Sequence, residues 1–305
     1  MEIRRVVAED RSLRTEARDE DGIWQPVKPD VLGYESPFRP EWEAEAAARQ
    51  GAKPGDVVLP FQPLSFRDFM LYEGHYVGAA RGFVNRFRPR IATVARGFEG
   101  ISRQTFPAFR PPKRWHREPI YYMSNAQTFV PSGTTVGFPA YTSALDWELE
   151  IGFVLKEPLL DATSHDAERA IGAFVLINDF SARDVQIPEQ NSGFGPQKAK
   201  HFLSSMSGVA VTPDEILPKW TTLSATVELN GEVVARPDAS KPRWRLGDMV
   251  AHASRGERLR PGELFGTGTL VGGSGMEIGR WLRPGDTLRL RIDGIGEVEH
   301  CVAQR

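Results

Sequence analysis

Hydrophobic and polar residues alternate strictly over residues 145–151, which read Leu-Asp-Trp-Glu-Leu-Glu-Ile. Side chains alternate faces along a β-strand, so the pattern predicts a strand with Asp146, Glu148 and Glu150 on one face and apolar residues on the other. Carboxylates about 6–7 Å apart repel each other by 2–3 kcal/mol per pair at an effective dielectric near 20. Either water screens this repulsion on a half-exposed strand, or a cation lies between the carboxylates. A hard ion such as Mg2+, Ca2+ or Mn2+ suits oxygen ligands of this kind.

Further strands are predicted by apolar runs and by turn residues. Residues 173–177 form a continuous apolar run, which is typical of a strand buried on both faces. The dipeptide Asn230-Gly231 lies between two strand-like stretches, 223–229 and 232–235, and predicts a β-hairpin. Residues 287–302 predict a second hairpin, which turns at Asp293-Gly294. Three Pro-Gly turns also introduce apolar runs; they lie at residues 53–56, 260–263 and 283–286.

Helices are predicted to lie at the periphery of a β core. The four helical patterns cover residues 41–50, 65–80, 164–171 and 246–255. Few of them fall between successive strands, so the sequence predicts a strand-rich α+β fold with a mainly antiparallel or mixed sheet, not a doubly wound one. Residues 1–60 are less regular and are interpreted as an N-terminal arm or small subdomain. Residues 61–305 would form the main domain.

Composition narrows the range of partners and compartments. The 305 residues are 40% hydrophobic and 26% charged, and the net charge of −2 gives no electrostatic reason to expect a nucleic-acid or anionic-membrane partner. The single cysteine, Cys301, cannot form an internal disulfide, which fits a reducing compartment. The first residues contain no apolar signal region, and no apolar run is long enough to span a bilayer. A cytoplasmic location is therefore expected.

Two acidic residues and a histidine are candidates for chemistry. Asp179 stands just after the 173–177 run, where it is either a functional side chain or the cap of a following helix. The segment 65–68 reads Ser-Phe-Arg-Asp and matches a capping box, which would make Asp68 a capping residue. His75 follows two helical turns later, on the same predicted face and about 10 Å along the axis. That face would carry a carboxylate and a base that titrates near neutrality, unless the histidine is structural.

Other candidates have ordinary structural alternatives. Lys198 and Lys200 follow a glycine-rich loop and would by default be solvated, and Tyr122 would by default be a half-buried core aromatic. The sequence has no Cys/His spacing typical of zinc sites and no Gly-x-Ser-x-Gly nucleophile elbow. It also lacks the glycine motifs that bind dinucleotides and phosphates. These absences argue against a zinc site, an acyl-serine mechanism and a nucleotide-binding site.

Three motifs in order resemble the fumarylacetoacetate hydrolase superfamily over roughly residues 60 to 300. They are the Glu-x-Glu element at 148–150, the segment Asn-Asp-Phe-Ser-Ala-Arg-Asp-Val-Gln at 178–186, and Gly195-Pro196 followed by Lys200. Gly268-Thr269 and the seven-residue spacing from Asp68 to His75 add to the resemblance. The family fold that the resemblance implies is a mixed β-roll with peripheral helices, usually found as a homodimer, and residues 61–305 would be its catalytic domain.

The resemblance also implies a set of metal ligands. Glu148, Glu150 and Asp179 match the family's metal-binding carboxylates, and Asp68 matches a fourth carboxylate found in some members. The implied ion is Mg2+, with Ca2+ and Mn2+ as alternatives.

The remaining implied residues act on water and substrate. His75 matches the general base that activates water, and Glu277 matches the glutamate that orients this histidine. Arg183, Gln186 and Lys200 match groups that stabilise the negative charge developing on the substrate. Tyr122 and Thr269 match substrate-contacting positions.

The implied activity is metal-dependent hydrolysis of a carbon–carbon bond in a small 1,3-diketo acid of the acylpyruvate type. Residues 187–191 replace a segment that supplies a substrate-binding tyrosine elsewhere in the family, so fumarylacetoacetate itself is not the expected substrate. One alternative keeps the site but changes the reaction to decarboxylation, hydration or isomerisation of a related acid. A second is a non-catalytic β-rich protein with a structural Ca2+. Glycoside hydrolysis is disfavoured, because Glu148 and Glu150 share one strand and cannot easily flank a scissile bond.

Overall fold

The computed structural model describes residues 1–304. The strands are β1 (Glu2–Val7), β2 (Leu13–Arg18), β3 (Trp24–Pro26), β4 (Val57–Val58), β5 (Phe66–Phe69), β6 (Tyr121–Ser124), β7 (Phe129–Pro131), β8 (Leu145–Asp146), β9 (Glu148–Leu155), β10 (Ile171–Asn178), β11 (Ser181–Ala182), β12 (Ser204–Met206), β13 (Val209–Val211), β14 (Ala225–Leu229), β15 (Glu232–Ala235), β16 (Leu264–Ser274), β17 (Thr287–Ile292) and β18 (Gly296–Cys301). The helices are α1 (Pro40–Arg49), α2 (Glu73–Phe87), α3 (Pro89–Ser102), α4 (Ser164–Arg169), α5 (Arg183–Asn191), α6 (Pro213–Ile216), α7 (Leu246–Ala253) and α8 (Gly275–Ile278).

A large mixed sheet organises the fold. Its main path runs β3-β2-β1-β13-β10-β9-β16-β5-β6, with β4, β7 and β12 paired beside it. Most of these pairs are antiparallel, and β16 pairs in parallel with β5. A separate four-stranded sheet has the order β15-β14-β17-β18, and β11 pairs with β8. The predicted strand-rich mixed architecture with peripheral helices is confirmed.

The centre of the large sheet is buried on both faces. Every residue of β9 and of β10 is buried, so neither strand has the polar outer face that alternation alone would indicate. The half-exposed interpretation of residues 145–151 is therefore wrong. The strand is also interrupted at Trp147, and Asp146 belongs to the short pair formed by β8 and β11. Charged residues in β9 must find partners or an ion inside the protein, because their side chains are almost fully buried.

The predicted helix over residues 65–80 is wrong in its first half. Residues Phe66–Phe69 form β5, which is fully buried between β16 and β6, and α2 begins only at Glu73. The hydroxyl of Ser65 donates to Glu263 at 3.0 Å instead of capping a helix. Pairing with two neighbouring strands overrides the local capping-box pattern, so Asp68 and His75 lie on different elements.

Several local predictions are confirmed. Helices α1, α4 and α7 match the predicted segments 41–50, 164–171 and 246–255 closely. The hairpin between β14 and β15 turns at Asn230-Gly231, where both residues have positive φ. The three Pro-Gly turns each place their glycine at a φ of about +90°, as a type II turn requires; these are Gly55, Gly262 and Gly285.

Residues 1–60 contribute strands to the large sheet. Strand β1 pairs with β2, β4 and β13, and Ile3 is fully buried in a cluster with residues of β10. The division of the chain at residue 60 remains a prediction.

Over residues 1–304, no helix combines the length and apolar character needed to cross a membrane.

Candidate metal-dependent active site

Three carboxylates from three strands of the large sheet converge at one point. Asp68 of β5, Glu150 of β9 and Asp179 just after β10 are all buried, and one oxygen from each lies within 4.8 Å of the others. Strand order explains the convergence, because β10, β9, β16 and β5 are consecutive in the sheet. Between Glu150 and Asp68 lies Gly266 of β16. A Cβ there would come within 2.7 Å of Glu150 Oε2 and 3.1 Å of Asp68 Oδ1, so glycine makes room for the carboxylates.

The chemistry of these carboxylates fits a hard divalent ion. Asp68 Oδ1 and Glu150 Oε2 are buried and have no hydrogen-bond partner among the described residues. Burial, together with the neighbouring charge of Asp179, raises the pKa of Asp68 to about 8. Burial and the charges of Asp68 and Asp179 also raise the pKa of Glu150 well above its usual value. Oxygen ligands that are crowded and unpartnered are what Mg2+, Ca2+ or Mn2+ would satisfy.

Glu148 lies beside the triad and is held by two cations. Its carboxylate forms ion pairs with Lys200 and with Arg183, whose Nη2 lies 2.7 Å from Glu148 Oε1. Burial would raise the pKa of Glu148, but Arg183 and Lys200 outweigh burial and lower it. The structure therefore groups Asp68, Glu150 and Asp179 most closely and places Glu148 at their edge, whereas the resemblance implied Glu148, Glu150 and Asp179 with Asp68 as a fourth ligand.

Lys200 is a buried cation that links the two groups of carboxylates. Its Nζ lies 2.6 Å from Asp179 Oδ2 and also contacts Glu148, and the side chain is 2% exposed. The solvated-surface alternative is thus wrong for Lys200, whereas Lys198 is exposed. Asp179 is not a helix cap, because its carboxylate accepts from Lys200, from Tyr122 and from Ser204 Oγ at 3.0 Å.

His75 and Glu277 form a hydrogen-bonded pair next to the carboxylates. His75 Nδ1 lies 2.8 Å from Glu277 Oε2, and His75 Nε2 lies 3.7 Å from Glu148 Oε1. Burial alone would lower the pKa of His75, but the Glu277 and Glu148 carboxylates outweigh it and raise the pKa. Glu277 is itself fixed by Gly272 N–H at 2.9 Å and by Ser274 Oγ at 2.9 Å. The predicted orienting contact between Glu277 and His75 is present in the structure.

The substrate-contacting candidates surround the same space. The hydroxyl of Tyr122 donates to Asp179 Oδ2 at 2.6 Å, so this partly buried aromatic contacts the carboxylate triad. Thr269 Oγ1 donates to Glu150 Oε1 at 3.4 Å. Arg183 Nη1 donates to Gln186 Oε1 at 2.9 Å. A cavity of about 550 Å³ is lined by Tyr122, Thr269, Arg183 and Gln186, together with His75, Glu148, Glu150 and Lys200.

Some functional contacts were missed by sequence reasoning. Asp146 lies apart from the triad and accepts from Arg183 Nε at 2.8 Å and from Met276 N at 3.0 Å. It thus supports the arginine that holds Glu148, instead of sharing an ion with Glu148 and Glu150. Ser274 caps α8 in a reciprocal box with Glu277. The Ser-x-x-Glu spacing was visible in the sequence and could have identified Glu277 as a fixed side chain.

The family described as "Fumarylacetoacetate (FAA) hydrolase C-terminal" matches residues 90–303 of the chain. That range includes strand β9, which carries Glu148 and Glu150, as well as Asp179 and Lys200. Asp68 and His75 precede it.

Relatives with different named activities are similar to this chain. The mitochondrial oxaloacetate tautomerase of Homo sapiens is 28% identical over 155 residues, which cover 51% of this chain and 70% of that protein. The fumarylpyruvate hydrolase of Ralstonia sp is 25% identical over 201 residues, which cover 63% of this chain and 97% of that protein.

Solved structures share the fold over the whole chain. The fumarylacetoacetate hydrolase from psychrophilic Exiguobacterium antarcticum has a TM-score of 0.67 at 19% identity and covers 100% of both chains. The 5-carboxymethyl-2-hydroxymuconate delta-isomerase from Mycobacterium smegmatis has a TM-score of 0.66 at 18% identity and covers 100% of this chain and 99% of that one. Both likenesses concern the fold alone.

Proposed function

This chain belongs to the fumarylacetoacetate hydrolase family, and we propose that it hydrolyses a carbon–carbon bond in a 1,3-diketo acid of the acylpyruvate type. The observation that carries the proposal is the His75–Glu277 pair, whose histidine lines the same cavity as Asp68 and Glu150 of the carboxylate triad. A base at this position is needed to make water nucleophilic. Reactions that only move protons or release CO2 need no activated water. The His75–Glu277 pair therefore favours hydrolysis over the tautomerase and isomerase activities that are also named for similar proteins.

A divalent ion held by Asp68, Glu150 and Asp179, with Glu148 at its edge, would act as a Lewis acid that polarises keto oxygens and stabilises an enolate. We take Mg2+ as the ion, with Ca2+ and Mn2+ as alternatives. Glu277 holds Nδ1 of His75, which leaves Nε2, 3.7 Å from Glu148 Oε1, to accept a proton from water. The resulting hydroxide attacks the distal carbonyl carbon. The bond between that carbon and the central CH2 then breaks, and its electron pair stays with the pyruvate fragment until a proton is added. One water and one acylpyruvate give pyruvate and a carboxylic acid.

Two buried cations are suited to the charge that develops on substrate oxygen. Lys200 keeps its charge, because Asp179 and Glu148 outweigh burial and raise its pKa. Arg183 is likewise held charged by Glu148 and Asp146, and it fixes the amide of Gln186. Preorganised donors in a water-poor site stabilise an oxyanion without further reorganisation. Tyr122 and Thr269 would then contact the bound acid.

A second candidate keeps the site and changes the reaction. The relative from Homo sapiens is named an oxaloacetate tautomerase, and the fold is shared with an isomerase. The triad and Lys200 could serve enolate chemistry, such as tautomerisation, isomerisation, hydration or decarboxylation, with His75 only relaying a proton.

A third candidate is a non-catalytic Ca2+-binding protein, in which the ion would alter stability alone. The homodimer and the cytoplasmic location also stay predictions.

The test is a substrate screen with and without Mg2+ or Mn2+. Acetylpyruvate and other acylpyruvates should lose their enol absorbance and yield equal amounts of pyruvate and acid, only when the ion is present. Oxaloacetate tests the second candidate, since its tautomerisation or decarboxylation gives no such acid.

His75→Ala should keep ion affinity and lose about 10²–10⁴-fold in kcat. Full hydrolysis by this variant would remove His75 from the mechanism, and stabilisation by Ca2+ with no turnover of any acid would favour the third candidate.

A further inference from the structure

We propose that the acyl group of the substrate is uncharged and apolar, such as a branched aliphatic or aromatic acyl chain, and that one face of α2 selects it. The inference rests on the proposed function and goes beyond it by naming the class of acylpyruvate. It starts from the shape of the cavity. At about 550 Å³ the cavity falls within the range of sites that enclose drug-sized ligands, which exceeds what the pyruvate half of the substrate needs.

The apolar part of the cavity continues directly from the proposed base along α2. Tyr76, Ala79, Ala80, Phe83 and Val84 line the cavity at successive turns after His75. Residues 75, 79 and 83 are four apart and share a face, and the rise of an α-helix places residue 83 about 12 Å from residue 75 along the axis. The helix therefore forms a wall that leads away from the polar end of the site.

Other elements extend this wall with apolar side chains. Phe109 of the short 3-10 turn Pro107–Phe109 is buried and packs with Ala80 and Val84 in a small cluster separate from the main core. Ile91 of α3, Ile120 and Ile187 of α5 also line the cavity. An acyl chain bound here would exchange water for apolar contacts on several sides.

The charged side chains are confined to the polar end. Among the described residues that line the cavity, the charged or titratable ones are those of the proposed catalytic cluster: Asp68, His75, Glu148, Glu150, Arg183 and Lys200, besides the tyrosines. Both cations already form ion pairs with buried carboxylates. A second carboxylate at the far end of a diacid would enter the apolar section without a cation to pair with, which is unfavourable.

The experiment compares acyl groups of matched shape. The substrates are acetyl-, benzoyl-, succinyl- and 4-methylpentanoylpyruvate; in the last, an isopropyl group replaces the terminal carboxylate of the succinyl group. With Mg2+ present, kcat/KM should rise from acetyl to 4-methylpentanoyl by about fourfold for each methylene that is buried. The 4-methylpentanoyl substrate should exceed the succinyl one by about tenfold or more.

Two substitutions at Phe83 and one control locate the effect on α2. Phe83→Ala should reduce the ratio of 4-methylpentanoyl to acetyl kcat/KM, and Phe83→Arg should reverse the preference towards succinyl. Phe87→Ala makes the same change one turn further, at a ring that contacts Phe83 and Trp281 and does not line the cavity, and should leave the ratio unchanged. If Phe83→Arg does not fold, the wild-type series and Phe83→Ala still decide the matter.

The outcomes separate the two proposals. Hydrolysis of all substrates with succinyl equal to or better than 4-methylpentanoyl would overturn the apolar acyl site and leave the proposed function standing. Hydrolysis of none would overturn the proposed function. In that case calorimetric binding to the His75→Ala variant with Mg2+ decides the inference. Tighter binding of 4-methylpentanoylpyruvate than of succinylpyruvate supports it. Equal binding of the two compounds, or binding of neither, overturns it.

Discussion

At the scale of single residues, the site is short of positive charge. Five buried carboxylates crowd the region, and two permanent cations oppose them; the carboxylates are Asp68, Asp146, Glu148, Glu150 and Asp179. Arg183 and Lys200 pair with Asp146, Glu148 and Asp179, and this leaves Asp68 and Glu150 with unpartnered oxygens. Buried charges without partners are costly, so these two groups must hold protons or an ion. Protons and a divalent ion therefore compete for the same oxygens.

This competition predicts how stability depends on pH. The pKa of Asp68 is about 8 in the folded protein against 3.8 for the free side chain, so the folded chain binds more protons between those values. Stability of the ion-free protein therefore falls as pH rises from about 4 to 8. Melting in a chelator should give a lower Tm at pH 8 than at pH 5. The gain in Tm from added Mg2+ should increase over the same range, because the ion then displaces fewer protons.

Asp68→Asn provides the control for this prediction. The amide cannot ionise, so the chelated variant should show a smaller decline in Tm between pH 5 and 8, with the remainder due to Glu150, whose pKa burial still raises, and it should respond weakly to Mg2+. If the wild type and this variant gave the same pH profile with and without the ion, the charge argument for the triad would fail.

Glu277 is predicted to act on catalysis through the pKa of His75. Its charge raises that pKa, so Glu277→Gln should lower the pKa of His75 and move the rising limb of the kcat profile to lower pH. We also expect kcat to fall, because the orientation of the imidazole is less well fixed. Glu297→Gln changes an exposed carboxylate on β18 and should leave the profile in place. A lower kcat with an unmoved profile would assign Glu277 a purely structural role.

At the scale of elements, a row of glycines lets α2 approach α8 and the end of β16. Gly74, Gly78 and Gly82 are spaced by four residues and face this neighbour. A Cβ on Gly78 would lie 2.9 Å from Glu277 Oε1, and one on Gly82 would lie 2.0 Å from the Met276 carbonyl oxygen. The close approach is what places His75 within hydrogen-bonding distance of Glu277.

Two glycine-to-alanine substitutions should therefore have opposite effects. Gly82→Ala forces α2 and α8 apart, and we expect it to cost at least about 1–3 kcal/mol and to reduce turnover. Gly97→Ala lies within α3, where a Cβ meets no atom within 4 Å, and should stabilise the protein by about 0.5–1 kcal/mol. Thermal melting of the two variants checks the prediction. A stable, fully active Gly82→Ala variant would show that the close packing is not needed.

The contrast between predicted and observed elements has a physical basis. The Asn230-Gly231 hairpin and the Pro-Gly turns were predicted correctly, because their backbone angles depend on the residues of the turn itself. Strand β5 was predicted as a helix because its Ser-x-x-Asp pattern is local, whereas its state is decided by pairing with β16 and β6. Motif resemblance named Asp68, Glu150 and Asp179 as metal ligands; the structure places their carboxylates within 4.8 Å of one another, and their binding of an ion stays a prediction. The ion pairs of Glu148 with Arg183 and Lys200 form between residues far apart in the sequence, so the spacing of residues along the chain could not predict them.

At the scale of the whole molecule, the first 60 residues are integrated into the large sheet. Strand β1 lies between β2 and β13, and β13 pairs in turn with β10 next to the central strands. Ile3 is fully buried with Phe66 of β5 and Ile177 of β10 in one cluster. Removal of this segment would expose the edge of β13 and the apolar surface beneath it, which promotes aggregation.

A chain that starts at residue 61 should therefore be less soluble and melt at a lower temperature than the full chain. A matched pair of isoleucine variants tests the same point without truncation. Ile3→Ala should cost about 2–5 kcal/mol through the cavity it leaves. Ile23→Ala, at a residue that is 57% exposed, should change stability by less than about 0.5 kcal/mol. A truncated chain with the Tm and solubility of the full protein would support an independent domain boundary at residue 60.

Helix α2 is a 15-residue segment whose first turn carries His75 and whose later turns line the cavity. Because proton handling and the wall of the cavity lie on one continuous piece of chain, they are inherited together. Transplanting this helix between related scaffolds would move the base and one wall of the cavity as a unit, whereas the strands that carry the carboxylates would still supply the ion that turnover requires. Diversification within this architecture can thus proceed by exchange of a single short peptide.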